Sequence, residues 1–404
     1  MITYGFSVQG KSHIKKGIVC QDAYSIQRLK NDCYLLAAAD GVGSAEYSDI
    51  GSKLAVEKLA EYCHKYIEKG ISQEKQLHIL ECGYEYAMQS IQNYAENNRG
   101  NIASYDTTLS AAIYDGKRVV FGHAGDGGII AKTVNGSYQM ITERQKGADS
   151  ISVRPLRAGK QSWSFGVFQE ETVAVLIATD GILDGVMAPW LLNLPKVDDP
   201  TQNSKKNRIY VSAAEFFMNE DCVLENNGIE NPEQFMNYFL LGEFEEEDKK
   251  RFTDCLLMGY QKLLGKKRAQ EIVQTVGKNY IPIYLLQEIT DDKTVVCAIN
   301  ARRKGDAMPS EYYHEPDWRS LNELYHEIFY PGRVKKNVIT EKEGNNDKKT
   351  ECDLSNVIQE DSNIKRRRKW VESLKPEDKK DVIHIGIDVL LCLVILILSL
   401  IIVI

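Results

Sequence analysis

Apolar residues fall in short, bounded runs along most of this chain. "TYGFSVQG" near the start alternates loosely, as an edge strand does. Leu35–Ala39 is a continuous apolar run, which predicts a buried strand climbing to Asp40 and stopping in a Gly-rich turn. The period then changes. In "IGSKLAVEKLAEYCHKYIEKG", Leu54, Ala55, Leu59, Tyr62, Cys63, Tyr66 and Ile67 recur at helical spacing, so a helix is expected, opened by Gly51 and Ser52 and ended by Gly70. A second helix is expected in "EKQLHILECGYEYAMQSIQNYAENN". From Thr107 to Thr142 the pattern is one of short strands, with Asp115-Gly116 and Asn135-Gly136 in hairpin positions. "VAVLIATD" is another strand and "KTVVCAIN" at 293–300 the last. Strands and helices lie in separate blocks, which argues for antiparallel sheets with helices outside rather than a parallel βαβ array.

Residues 186–280 interrupt the strands and read as mainly helical, an insertion before the final strand of a domain covering 1–300. Residues 301–381 turn polar and read as a linker, largely disordered after about 340. Residues 382–404 differ again. From Val389 to Ile404 every residue is apolar except Ser399. At ~1.5 Å per residue that run covers about 24 Å, short of a ~30 Å hydrocarbon core. Adding Val382–Ile387 makes it long enough and leaves Asp388 at one interfacial end. "KRRRKW" at 365–370 precedes it, and basic residues flank the cytoplasmic side of a span. The N-terminus carries no apolar signal segment. The expectation is a single-pass tail anchor that tethers a cytoplasmic domain to a membrane.

Composition narrows the partners. The net charge is −7 with no basic domain, which argues against nucleic acid. The nine cysteines are scattered and form no CxxC, as suits free thiols in a reducing compartment.

The chemistry lies in acids at strand ends: Asp22 in "CQDAY", Asp40 in "ADGVGS", Asp126 in "GHAGDGG", Asp180 and Asp184 in "TDGILDG", Asp291 and Asp292 in "DDKTVV". Convergent carboxylates repel unless a cation lies between them. An all-oxygen donor set suits Mg²⁺ or Mn²⁺ rather than zinc. Glycine after the acid lets the backbone bend, so that its carbonyl can face the ion as well.

This ordered set resembles the PPM-type metal-dependent protein serine/threonine phosphatases, the protein phosphatase 2C family, and its compact bacterial branch most, over about residues 1–300. The resemblance implies an α+β fold, a β-sandwich of two antiparallel sheets flanked by helices, with a cleft holding two Mn²⁺ or Mg²⁺ ions. It implies that Asp40 bridges both ions, that the Gly41 carbonyl binds the second, and that Asp180 and Asp291 complete the first. Asp22 would hold metal-bound water. Asp126 and Asp184 match positions that approach a third, weaker ion, and Asp292 falls beside the last ligand without being one. "YDTTLSAAI" matches a structural Thr-Thr strand. The implied reaction is in-line hydrolysis of phosphoserine or phosphothreonine in a phosphoprotein by a metal-bridging hydroxide, with a cognate Ser/Thr kinase as a natural counterpart. A non-catalytic phosphatase-like scaffold and a two-metal phosphohydrolase of a small metabolite are the alternatives.

The departures concern substrate handling. Gly17 stands where members often carry a phosphate-binding arginine, leaving His13, Lys15 or Lys16 to substitute. Gln21 stands where many have an acid. Val42 replaces a histidine proposed as general acid, leaving water, His13 or His123 for that role. Gly127-Gly128 replaces a Ser-Arg pair.

Overall fold

The computed structural model of the chain describes residues 1–145 apart from Asn31, 152–183, 211–220, parts of 250–262, 264–278, 289–308 and Tyr312. In chain order the strands are β1 (Ile2–Val8), β2 (Ala23–Arg28), β3 (Tyr34–Ala39), β4 (Leu109–Tyr114), β5 (Val119–Ala124), β6 (Gly128–Thr133), β7 (Tyr138–Met140), β8 (Ser164–Phe168), β9 (Thr172–Ala178) and β10 (Lys293–Ile299). The helices are α1 (Lys11–Lys16), α2 (Ser48–Tyr66), α3 (Gln73–Asn97), the single turn α4 (Asp180–Ile182), α5 (Val211–Met218) and, as labelled here, α6 (Lys266–Lys278).

The strands form two five-stranded sheets, ordered β1-β10-β9-β6-β7 and β2-β3-β4-β5-β8. Every pairing is antiparallel. This is the expected sandwich, and β1 is the expected edge strand. The continuous apolar run of β3 has a direct cause: both of its faces are covered. Leu36 and Ala38 pack between the sheets with Ala112, Tyr114, Ile129, Val175 and Val296. Leu35, Ala37 and Ala39 face the other way, into a core shared with Ala55, Leu59 and Leu80 of α2 and α3. A strand buried on both sides has no polar alternation to show.

The helix boundaries differ from expectation. α2 begins at Ser48, so Gly51 lies inside it, where a Cβ would stand 2.1 Å from the Tyr105 carbonyl. Glycine is there for a close approach, not as a start signal. The helix ends at Tyr66, and Gly70 (φ +79°) lies in the connection beyond. α1, β2 and β8 were not evident in the pattern, because none of their residues is fully buried and their side chains are mixed.

The insertion expected at 186–280 is helical where described, in α5 and α6. α5 is part of the domain's outer layer. Phe216 and Phe217 are fully buried, the Tyr4 hydroxyl of β1 donates to the Phe217 carbonyl, and Cys297 Sγ of β10 lies 3.6 Å from the same oxygen. The polar stretch after Asn300 is also anchored at its start. Asp306 N–H donates to the Val134 carbonyl (2.6 Å), Lys304 pairs with Glu220 (2.9 Å), and Tyr138 N–H donates to the Tyr312 hydroxyl (2.7 Å). That last bond occupies an outward N–H of β7, an edge strand. The described residues after Asn300 thus pack on the domain. Among the described residues no helix is long and apolar enough to cross a membrane. The anchor expected at 382–404, the basic cluster before it and Asp184 lie outside the described residues.

Candidate metal centre

Strand register brings the acids together. Ala39 at the end of β3 pairs with Ala23 at the start of β2, and Leu109 with Ala124 across β4 and β5. In the other sheet Ala178 at the end of β9 pairs with both Gly128 of β6 and Val295 of β10. These pairs mark one edge of the sandwich. Asp22, Asp40, Asp126, Asp180 and Asp291 each sit just beyond a strand at that edge. Asp40, Asp126 and Asp180 present oxygens that all lie within 4.8 Å of one another.

The Asp40 backbone is held by the Thr-Thr strand. Thr108 N–H donates to its carbonyl (2.8 Å), its own N–H donates to Thr108 Oγ1 (2.8 Å), and Thr107 Oγ1 donates to its carbonyl (2.9 Å). Gly41 bridges to Thr107, and the flanking bonds use the carbonyls of Asp40 and Asp106 rather than that of Gly41. A Cβ at Gly41 would stand 2.7 Å from the Gln21 carbonyl, so the close approach requires glycine.

Asp22 is buried, with Thr179 Oγ1 donating to its Oδ2 (2.8 Å). Its Oδ1 is buried without a hydrogen-bond partner. Burial pushes its carboxyl up to about 7; the Thr294 side chain counters this, the Asp292 charge adds to it, and Thr179 counters again. Burial also holds Asp40 well above the usual carboxylate range, reinforced by the charges of Asp180, Asp22, Asp291 and Asp126. A buried acid with an orphaned oxygen, beside a cluster of mutually repelling carboxylates, fits a hard divalent cation.

Not every expected role coincides with this cluster. Asp126 joins Asp40 and Asp180 directly. Asp291 stands at the rim, 55% exposed, with its Oδ1 accepting the Asp292 N–H (3.0 Å) and lying 4.0 Å from His13 Nε2. Of the three residues expected to meet phosphate, His13 reaches the acids, with Nδ1 2.9 Å from Asp292 Oδ1. Lys15 and Lys16 are exposed on α1. His123 cannot supply a proton to a leaving group. It is fully buried between the sheets with Nδ1 2.9 Å from Ser110 Oγ, and burial pushes its pKa down to about 4. The same burial withholds the Ser110–His123 pair from nucleophilic work.

The departures from the family pattern have local causes. Gly17 (φ +67°) is the left-handed cap that ends α1. Side chains at Gly127 and Gly128 would begin 3.0 Å from the Ala178 carbonyl and 2.7 Å from Met140 Sδ. Sequence reasoning missed the support given by Thr179 and the placement of Asp292; a hydroxyl or second acid beside a strand-end acid was the available signal.

The fold thus sets an acidic, all-oxygen cluster of strand-end carboxylates at one edge of an antiparallel sandwich. Residues 9–208 match the family model described as protein phosphatase 2C. The matched stretch includes Asp22, Asp40, Asp126, Asp180 and Asp184 and stops short of Asp291. No curated protein matches the chain. Solved structures similar to it include a bacterial serine phosphatase (15% identity, covering 76% of this chain and 100% of that one, TM-score 0.44). Others are the serine/threonine phosphatase Stp1 from Staphylococcus aureus (16%, 74% and 95%, TM-score 0.41) and the catalytic domain of the serine threonine protein phosphatase PstP in complex with 2 manganese ions (16%, 74% and 96%, TM-score 0.39).

Proposed function

We propose that the chain is a metal-dependent protein phosphatase acting on phosphoserine and phosphothreonine. The observation that carries this is the convergence of Asp40, Asp126 and Asp180, with the buried Asp22 beside them, inside the stretch that matches the family model. Asp40, Asp180, Asp126, Asp22, Asp291 and the Gly41 carbonyl are the groups to hold two Mn²⁺ or Mg²⁺ ions, with Asp184 as a candidate for a third. Bound ions of this kind lower the pKa of a water and clamp a phosphate oxygen. The chain's own part is to hold that geometry. Thr107 and Thr108 fix the Asp40 backbone, and Thr179 fixes the rotamer of Asp22. The buried, neutral His123 leaves proton delivery to solvent or to His13.

The apolar run at 382–404 supports a tail anchor, and "KRRRKW" supports a cytoplasmic face for the domain, so the substrate is read as a phosphoprotein near a membrane. A cognate Ser/Thr kinase is the natural source of that substrate.

The test is phosphate release from a phosphothreonine peptide, with Mn²⁺ and with EDTA, for the wild type and Asp180→Asn. Release that needs Mn²⁺ and is lost in the variant is expected. Mn²⁺ binding without release from any phosphopeptide, but with release from a phosphorylated metabolite, would overturn the protein-substrate reading.

A further inference from the structure

We propose that Asp292, which is not itself a ligand, is the positioning residue that assembles the metal centre; the inference rests on reading the neighbouring acids as a divalent-cation site. Asp292 is 2% exposed, and a buried carboxylate is costly unless its oxygens are satisfied. Here both are taken up by different parts of the chain. Gly10 N–H donates to Oδ1 (2.6 Å) and Gln21 N–H to Oδ2 (2.6 Å), while His13 Nδ1 lies 2.9 Å from Oδ1. The two backbone N–H groups donate to a carboxylate, a stronger bond than one between neutral groups.

Each partner adjoins the site. Gln21 precedes Asp22, and Asp292 itself follows Asp291. The backbone of the pair is gripped from two sides: a Cβ at Gly10 would stand 2.3 Å from the Asp291 carbonyl carbon, and one at Gly181, beside Asp180, would stand 2.0 Å from the Asp292 carbonyl oxygen. Lys11 N–H and Ser12 N–H donate to the carbonyls of Ile289 (3.1 Å) and Thr290 (3.0 Å). One side chain thus ties the β1–α1 turn and the start of β2 to the segment that carries Asp291. An isosteric amide cannot replace it. In Asp292→Asn one of the two acceptor atoms becomes an NH₂ group facing a backbone N–H.

A purely structural contact would alter folding stability and leave cation affinity of the folded chain untouched. The experiment therefore measures Mn²⁺ affinity by titration calorimetry and metal-free thermal unfolding, on the full chain and its variants Asp292→Asn, His13→Ala and the double variant. Leu36→Ala is the control for stability alone. Outer partners of metal ligands typically carry roughly 10–100-fold in affinity, and a loss of that size is expected for Asp292→Asn with strand content retained by circular dichroism. His13→Ala removes the ring that stands 2.9 Å from Oδ1 but leaves both backbone donors, and is expected to cost less, with the double variant losing less than the product of the two. Unchanged Mn²⁺ affinity in a folded Asp292→Asn chain overturns the proposal. If that variant does not fold, unchanged affinity in His13→Ala overturns it. A wild type that takes up no Mn²⁺ overturns the cation-site reading first and the proposal with it.

Discussion

The space between the two sheets has a dry middle and a charged edge, built from the same strands. In the middle, Leu36, Ile129, Val175, Ile177 and Val296 are buried against one another. At the edge, four residues along from Leu36, Asp40 meets Asp126 and Asp180. Burial acts on the two in opposite senses. It stabilises the apolar side chains by removing their surface from water, and it penalises the carboxylates of Asp22 and Asp40, whose pKa values rise as a result. An arrangement that costs stability at one edge of an otherwise favourable core is what a ligand site requires: the compensating charge comes from the ligand.

The largest separation of the two regions should come from Leu36→Ala and Asp40→Asn. Emptying the Leu36 site is expected to cost about 2–5 kcal/mol of stability while turnover per folded molecule is kept. Asp40→Asn removes one of the repelling charges. It is expected to raise the metal-free melting temperature and to reduce Mn²⁺-dependent turnover by more than the roughly 10–100-fold seen for outer partners. Parallel denaturant melts and phosphate-release assays check both. A fall in metal-free stability for Asp40→Asn would mean that the edge behaves like the core.

Proton and metal should compete at the edge alone. Asp22 and Asp40 have folded pKa values raised above the ordinary carboxylate range, so the folded chain holds more protons than the unfolded one between that range and about pH 7. The stability they contribute is present at low pH and is lost as pH rises through about 7 for Asp22. The metal-free melting temperature is therefore expected to fall between pH 5 and pH 8 through these groups, and saturating Mn²⁺ to raise it more at pH 8 than at pH 5. Calorimetric scans with and without EDTA measure this. An equal gain at both pH values would separate the bound ion from these acids.

The same contrast explains what the sequence made legible. A strand buried on both faces announces itself as an apolar run, and a carboxylate ending that run is conspicuous, so Asp40 and Asp180 stand out at once. The two hairpins were legible because Gly116 (φ +91°) and Gly136 (φ +87°) take the positive φ that their turns require. β2, β8 and α1 were not, because half-buried elements with mixed side chains carry no strong period. Second-layer support was hidden for another reason. Thr179 meets Asp22 across 157 positions of sequence, and Asp292 meets Gly10 across 282. Only strand order brings them together, and periodicity carries no information about strand order.

The smallest expected effect tests the border between the two regions, where His123 lies with Ser110 under the acidic edge. Burial pushes its pKa down to about 4, against an ordinary value of about 6.5. The unfolded chain therefore takes up the proton first as pH falls, and the stability due to neutral His123 is lost from about pH 6.5 downward. At pH 5.5 the loss is about 1.4 kcal/mol, one pKa unit's worth. This slope opposes that of the nearby carboxylates, so the bare pH profile of the wild type shows only their sum. His123→Gln isolates it, since glutamine keeps a polar partner for Ser110 and does not titrate. The variant is expected to be somewhat less stable than the wild type at pH 7.5, and the gap should narrow by about 1.4 kcal/mol at pH 5.5 in metal-free urea melts. A gap that stays constant would mean that His123 is charged or solvated in the folded chain, and that the polar edge reaches one strand position deeper than the hydrogen bond to Ser110 implies.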